Sequence, residues 1–291
     1  MLAQFLQFLF SGITVGSTYA LAALGFTLIY NASHVINFAQ GEFIMLGGML
    51  AVYFSYAGLP MPLALLLAIA VPTLVGLLLE KVAIEPVKGA EPVTLIIITI
   101  GASLVLRGVV QVWLGKGSFS LAAFSGEQPI ELLGATLLPQ SLWVLGVTAL
   151  VVAVLWYFFA HTLPGKAMLA TSCNRDAAQL VGINTDGVLL LSFALSAALG
   201  ALGGILVAPM TLTSYDVGIM LGLKGFVGAV LGGLGNGLGA VLGGLLVGVL
   251  ESLGAGYISS AYKDAMPFVL ILLMLFFRPR GLLGGKSTER V

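Results

Sequence analysis

Charge is what this sequence has least of. Only 8% of its 291 residues are Asp, Glu, Lys or Arg, against about 25% in a typical soluble domain. A water-facing surface cannot be assembled from that supply. Acidic and basic residues balance at 12 each, so no basic field exists to hold nucleic acid. One cysteine, Cys173, excludes an intramolecular disulfide. The two histidines, His34 and His161, are far apart, and both sit at the ends of apolar runs. Interfacial or loop histidine is a simpler reading than a metal site. No Ser/His/Asp or paired-carboxylate arrangement stands out, so no catalytic residue, metal or cofactor is assigned. The N-terminus shows no charged n-region and no small-residue cleavage site. Its first apolar segment reads as a retained span, not a signal peptide.

Apolar residues fill the space that charge leaves. They make up 59% of the chain, and the mean hydropathy is +1.11. The long apolar runs lack the alternation of a barrel strand, so helix is the expected spanning element. A span needs about 20 mostly apolar residues. Nine segments come close: 5–29, 36–57, 62–80, 92–113, 140–160, 187–209, 218–235, 238–256 and 265–277. The second and seventh each contain a charge and read as re-entrant or broken helices. The expectation is an all-α, polytopic transmembrane bundle of eight to ten spans, with one transmembrane domain over residues 1–291. The longest connections are 114–139 and 161–186.

Loop charges orient the bundle. With the N-terminus outside, the inner connections and tail hold Lys81, Lys88, Lys166, Arg175, Arg278, Arg280, Lys286 and Arg290. The outer ones hold only Lys116 and Lys263. That is a clear positive-inside bias. Arg107 and Lys224 fall within spans.

Glycine is abundant, at 39 residues, and patterned. Gly200 and Gly204, Gly228 and Gly232, Gly239 and Gly243, and Gly244 and Gly248 lie four apart, on one helix face each, where backbones can approach closely. Close packing and easy sliding of helices both fit this pattern. Two nucleotide-binding look-alikes fail on context. Gly281 to Ser287 nearly spells a phosphate loop, but Arg280 stands where its first glycine belongs. Gly235 to Ala240 resembles a dinucleotide fingerprint, but it lies between two spans rather than between strand and helix. Any ATP chemistry belongs to another chain.

The connection 162–186 is the most informative stretch. Pro164-Gly165 starts a short helix and Gly182 stops it. Ser172, Arg175, Asp176 and Gln179 are expected on one face, and Ala170, Cys173, Ala177 and Leu180 on the next. A helix held only by lipid would want bulky apolar residues on that face. Small residues suit docking in a protein groove.

Here the chain resembles the permeases of branched-chain amino acid ABC importers. The motifs are Gly165-Lys166-Ala167-Met168 with Ala170, Asn174, Ala178 and Gly182-Ile183-Asn184-Thr185-Asp186; Asn37-Phe38-Ala39-Gln40-Gly41-Glu42; Gly232-Gly233-Leu234-Gly235; Tyr262-Lys263-Asp264; and Arg278-Pro279-Arg280-Gly281-Leu282-Leu283-Gly284. They run in order over nearly the whole chain, and the resemblance is to the LivH type. One departure is Leu169, where the family usually has Arg before the residue matching Ala170; Arg175 is an alternative cation.

The resemblance implies a permease fold in the bacterial inner membrane and a homologous second permease. It also implies two cytoplasmic ATP-binding subunits and a periplasmic substrate-binding protein. Gly165, Ala170, Asn174, Arg175, Ala178, Gly182 and Ile183 would couple to the ATPases. The expected cargo is leucine, isoleucine or valine, with urea, amides or other amino acids as alternatives. Asn37, Gln40, Glu42 and Glu251, with Thr14, Ser17 and Thr18, are polar residues for the pathway or for helix packing. Membrane carboxylates also admit an ion-coupled transporter, and a passive channel or scaffold is a third class. A charge at a helix centre costs about 2.5–3.5 kcal/mol, so Glu42 and Glu251 are expected to avoid lipid; Arg107 and Lys224 are their candidate partners.

Overall fold

The computed structural model describes residues 2–87, 89–126, 128–132 and 134–284. Lys88, Lys286 and Arg290, weighed above for their charge, lie outside the described residues, as do Gly285 and Ser287. Nine apolar helices follow the nine expected segments: α1 (Leu2–Ser33), α2 (Gln40–Tyr56), α3 (Met61–Leu79), α4 (Pro92–Leu114), α5 (Pro139–His161), α8 (Thr185–Val207), α9 (Val217–Gly232), α10 (Gly237–Tyr257) and α11 (Met266–Phe277). Between α5 and α8 lie the short helices α6 (Leu163–Cys173) and α7 (Arg175–Leu180). An antiparallel pair, β1 (Ile130–Leu132) and β2 (Ala135–Leu137), decorates the 114–139 connection, with Ile130 opposite Leu137. The sequence reading has no strands there.

Seven helical stretches are long and apolar enough to cross a membrane. The two exceptions, α2 with 17 residues and α9 with 16, are the segments singled out by their charges. Their shortness has a packing reason. Every residue of α2 from Gln40 to Val52 is buried, so this helix meets protein on all sides and needs no lipid-length span. α4 and α5 are the converse. Val112 is 89% exposed and Ile97, Leu104, Leu150 and Trp156 stand out from the bundle, where lipid tails are as good a solvent as the core.

The centre is built from α1, α2, α8, α9 and α10, and glycine sets how close they come. A Cβ on Gly16 of α1 would lie 2.9 Å from Leu245 Cα of α10. One on Gly228 of α9 would lie 2.9 Å from Gly244 Cα of α10. The patterned glycines are therefore seams at which backbones touch, as close van der Waals packing in lipid requires.

The two ends of the bundle sort as alternating spans demand. At one end, Gln7 of α1 brackets Thr136 of β2, donating to its carbonyl at 3.0 Å and accepting its N–H at 2.7 Å. Phe119 pairs there with Thr213. At the other end, Asn31 donates to the Gly235 carbonyl at 3.1 Å, and Asn236 to that of Leu283 at 3.0 Å. The basic connections collect at this second end, where the positive-inside rule expects the cytoplasm. The stretch that imitates a phosphate loop has a plain role there. Leu282 and Leu283 donate their N–H groups to the Leu231 and Gly232 carbonyls, 2.9 and 3.0 Å, satisfying the open C-terminus of α9.

Candidate functional site

Three clusters carry the chemistry. The first is the α6–α7 connection. Thr162 caps α6 by accepting the Gly165 N–H at 3.1 Å, and Pro164 sits in its first turn. The expected single helix from Pro164 to Gly182 is in fact two. Asn174 adopts an extended conformation and its side chain accepts the Ala177 N–H at 2.9 Å. An Asn that caps a new helix ends the old one, so the two faces drawn across this break do not exist as continuous stripes. α7 closes with Gly182 at φ 88. The Ile183 N–H reaches the Ala178 carbonyl and the Gly182 N–H that of Gln179, both at 3.0 Å, which is a Schellman ending.

The expected coupling residues mostly shape this connection from within. Gly165 is buried, and a Cβ there would strike the Phe158 carbonyl. Ala178 is 3% exposed, so it packs against its own chain and is not an open docking surface, contrary to expectation. Arg175 contacts Asp186 at 3.2 Å, closing the loop onto α8. Both partners are well exposed, so the pair adds little stability. Ile183 packs on the core, and Ala170 is half-buried. The outward surface comes from residues the sequence reading did not rank: Leu180 at 89% exposed, Val181 at 77% and Leu169 at 45%. Their signal was two adjacent bulky apolar residues before the stop glycine of a polar loop.

The second cluster is closed. Lys224 of α9 contacts Glu251 of α10 at 2.8 Å and Asp264 at 2.6 Å. Tyr19 of α1 donates to the other Glu251 oxygen at 3.0 Å. Both Glu251 oxygens are engaged, and four segments are tied at one point. Lys224 was a candidate partner from the sequence; Tyr19 carried no signal.

The third cluster is open. α2 starts beside α4, where the Phe38 N–H donates to Thr99 Oγ1 at 3.2 Å, about two turns into that helix. Asn37 accepts the Ala39 N–H at 3.0 Å, and Gln40 donates to the Ser196 carbonyl at 3.1 Å. Both anchor the start of α2. Glu42, in the first turn of α2, is 2% exposed. Its Oε1 accepts from Ser103 at 2.7 Å and lies 3.5 Å from Arg107 Nε. Its Oε2 has no hydrogen-bond partner among the described residues. Ser103 and Arg107, four apart on one face of α4, are the signal that was available. A cavity of about 150 Å³ opens on this trio. Thr14, Ser17 and Thr18, read as polar residues for the pathway or for helix packing, each donate to a carbonyl of their own helix. No group of three His, Cys, Asp or Glu side chains that could hold a metal occurs among the described residues.

The sequence profile of the family described as the permease component of branched-chain amino acid transport systems matches residues 8–275. The chain belongs to this family. It is 35% identical to the high-affinity branched-chain amino acid transport permease LivH of Salmonella typhimurium, over 99% of this chain and 98% of the relative. It is also 35% identical, over the same shares, to BraD of Pseudomonas aeruginosa. The ribose import permease RbsC of Escherichia coli is 28% identical over 91% of this chain and 83% of its own. A chain of PsaBC from Streptococcus pneumoniae, solved with Fab, superposes with a TM-score of 0.52 at 15% identity, covering 96% of this chain and 97% of that one. That likeness concerns the fold. The protein is thus a multi-pass membrane permease of the ABC-importer class, and it works with other subunits of such a transporter.

Proposed function

We propose that this permease carries leucine, isoleucine and valine inward across the bacterial inner membrane, as one domain whose only task is transport. ATP is hydrolysed by two cytoplasmic subunits that seat the α6–α7 connection. A homologous permease completes the pathway, and a periplasmic binding protein delivers the substrate. The observation that carries this reading is the α6–α7 connection. It is capped at Thr162, Asn174 and Gly182, so its shape is set. It also presents Leu180 and Val181 outward at the cytoplasmic end. Rigid-body closure of two ATPases needs a rigid lever to act on, and apolar anchors on a fixed loop provide one.

The names of the relatives support the cargo. The alternatives of urea, amides or other amino acids are distinguished by competition. Uptake of labelled leucine into cells that depend on this permease is expected to fall more than tenfold under a hundredfold excess of isoleucine or valine. Urea or acetamide at the same excess should leave it unchanged. Competition by urea or acetamide, or none by isoleucine and valine, would move the cargo to another class while leaving the machine intact.

A further inference from the structure

We infer that the cavity at Glu42, Ser103 and Arg107 is a substrate site within the membrane, one that holds the two charged ends of an aliphatic α-amino acid. The inference rests on the cargo reading above and adds where, and by which groups, the cargo is held during passage.

The two intramembrane charge clusters differ in how completely their polar groups are paired. Around Lys224 the chemistry is complete: both Glu251 oxygens are engaged, and the ammonium meets two carboxylates. A cluster of that kind ties helices together. Around Glu42 it is incomplete. One carboxylate oxygen, on a residue 98% shielded, has no hydrogen-bond partner among the described residues, and Arg107 Nε meets Glu42 Oε1 only at 3.5 Å. Arg107 approaches Ser103 Oγ at 3.4 Å and Glu42 at 3.5 Å, without the paired fork that a guanidinium forms on a carboxylate. Buried polar groups left in this state call for an explanation. Both residues line the same cavity.

The incompletely paired groups have opposite signs. One carboxylate oxygen lacks a donor among the described residues, and the guanidinium meets its acceptors only at 3.4 and 3.5 Å. A zwitterion offers both at once, its ammonium to Glu42 and its carboxylate to Arg107, and neither partner then holds net charge away from water. The remaining wall is apolar: Phe38, Ile100, Ile219, Leu223 and Phe226. Phe38 and Phe226 pack ring against ring at 5.8 Å, giving a stiff surface for a branched side chain. The cavity is on the scale of one amino acid, at about 150 Å³. A few polar groups converging on an apolar pocket is the usual form of a small-molecule site, and polar residues inside a membrane mark substrate paths. Gly41 and Gly222 keep α2 and α9 close beneath it.

The test uses the whole transporter complex in nanodiscs, without its binding protein, and reads weak binding by saturation-transfer NMR. Three probes are compared: leucine, isoamylamine, which lacks the carboxylate, and 4-methylpentanoate, which lacks the ammonium. Wild-type complex is expected to favour leucine over either analogue at least fivefold. In Arg107→Gln the advantage over isoamylamine should vanish, and in Glu42→Gln the advantage over 4-methylpentanoate should vanish. Ile219 sits at the rim, 37% exposed, so Ile219→Trp should fold and should exclude leucine while the charged pair stays intact. Intact elution on size exclusion is required of each complex. Equal leucine signals in wild type and all three variants, or no signal from a wild-type complex that imports leucine, overturns the site and leaves the cargo reading standing. A complex that does not import leucine overturns both.

Discussion

Leu180→Asp combined with Val181→Asp is expected to free the ATPase subunits from this permease and abolish uptake. The two side chains are 89% and 77% exposed in the isolated chain, so their replacement removes nothing from its own core. The spans should insert and fold as before. In the proposed assembly the same residues would face the ATPases. Buried apolar anchors of this kind are worth about 2 kcal/mol or more each. A carboxylate forced into such a pocket without a partner costs more again. A loss of about 4 kcal/mol lowers affinity roughly a thousandfold. Co-purification of the ATPases with tagged permease is the measurement, beside total permease in the membrane. Undiminished co-purification would show that the ATPases grip elsewhere. Ala178 is the wrong place for this test: it is buried in its own chain, and a charge there would damage the loop itself.

Lys224→Met is the second large effect. It deprives Glu251 and Asp264 of their common cation and leaves Glu251 with Tyr19 alone. Removing one partner of a buried pair typically costs 3–5 kcal/mol, because the other charge stays behind. The expected result is a steep fall in folded yield and in melting temperature of the purified protein. Lys224→Met with Glu251→Gln should recover part of the loss, since the abandoned charge is then gone. A single variant as stable as wild type, or a double variant no better than the single, would show that the cluster does not hold α1, α9 and α10 together.

The spans were readable because apolar runs of the right length leave little choice in a membrane. The two segments marked down for their charges, 36–57 and 218–235, are the two helices that the structure shortens, α2 and α9. Length and charge told the same story there: a helix wrapped in protein can be short and can carry Glu42 or Lys224. The helix start at Pro164 and the stop at Gly182 were legible because proline and glycine act locally. The break at Asn174 was not, although Asn is a strong cap. In a stretch rich in alanine, helix propensity argues for continuity, and only the local geometry decides.

The sites were less legible, for a reason of distance. Glu42 and Ser103 lie 61 residues apart and Tyr19 and Glu251 lie 232 apart. No periodicity reports such a meeting. Intramembrane charge told which residues needed a partner, and Arg107 and Lys224 were the available cations. It could not tell that one meeting is closed and the other open. The hydroxyls of Thr14, Ser17 and Thr18 bond within α1 because a helix in lipid offers its own carbonyls to such groups.

The most direct test of the account is the energy source of a purified system. The permease, its sister subunit and the two ATPases are reconstituted in proteoliposomes with ATP inside. Binding protein and labelled leucine are supplied outside. The account predicts leucine accumulation that requires internal ATP and is indifferent to an uncoupler. Accumulation that persists without ATP and collapses with the uncoupler would contradict it, and would make the membrane carboxylates the engine instead.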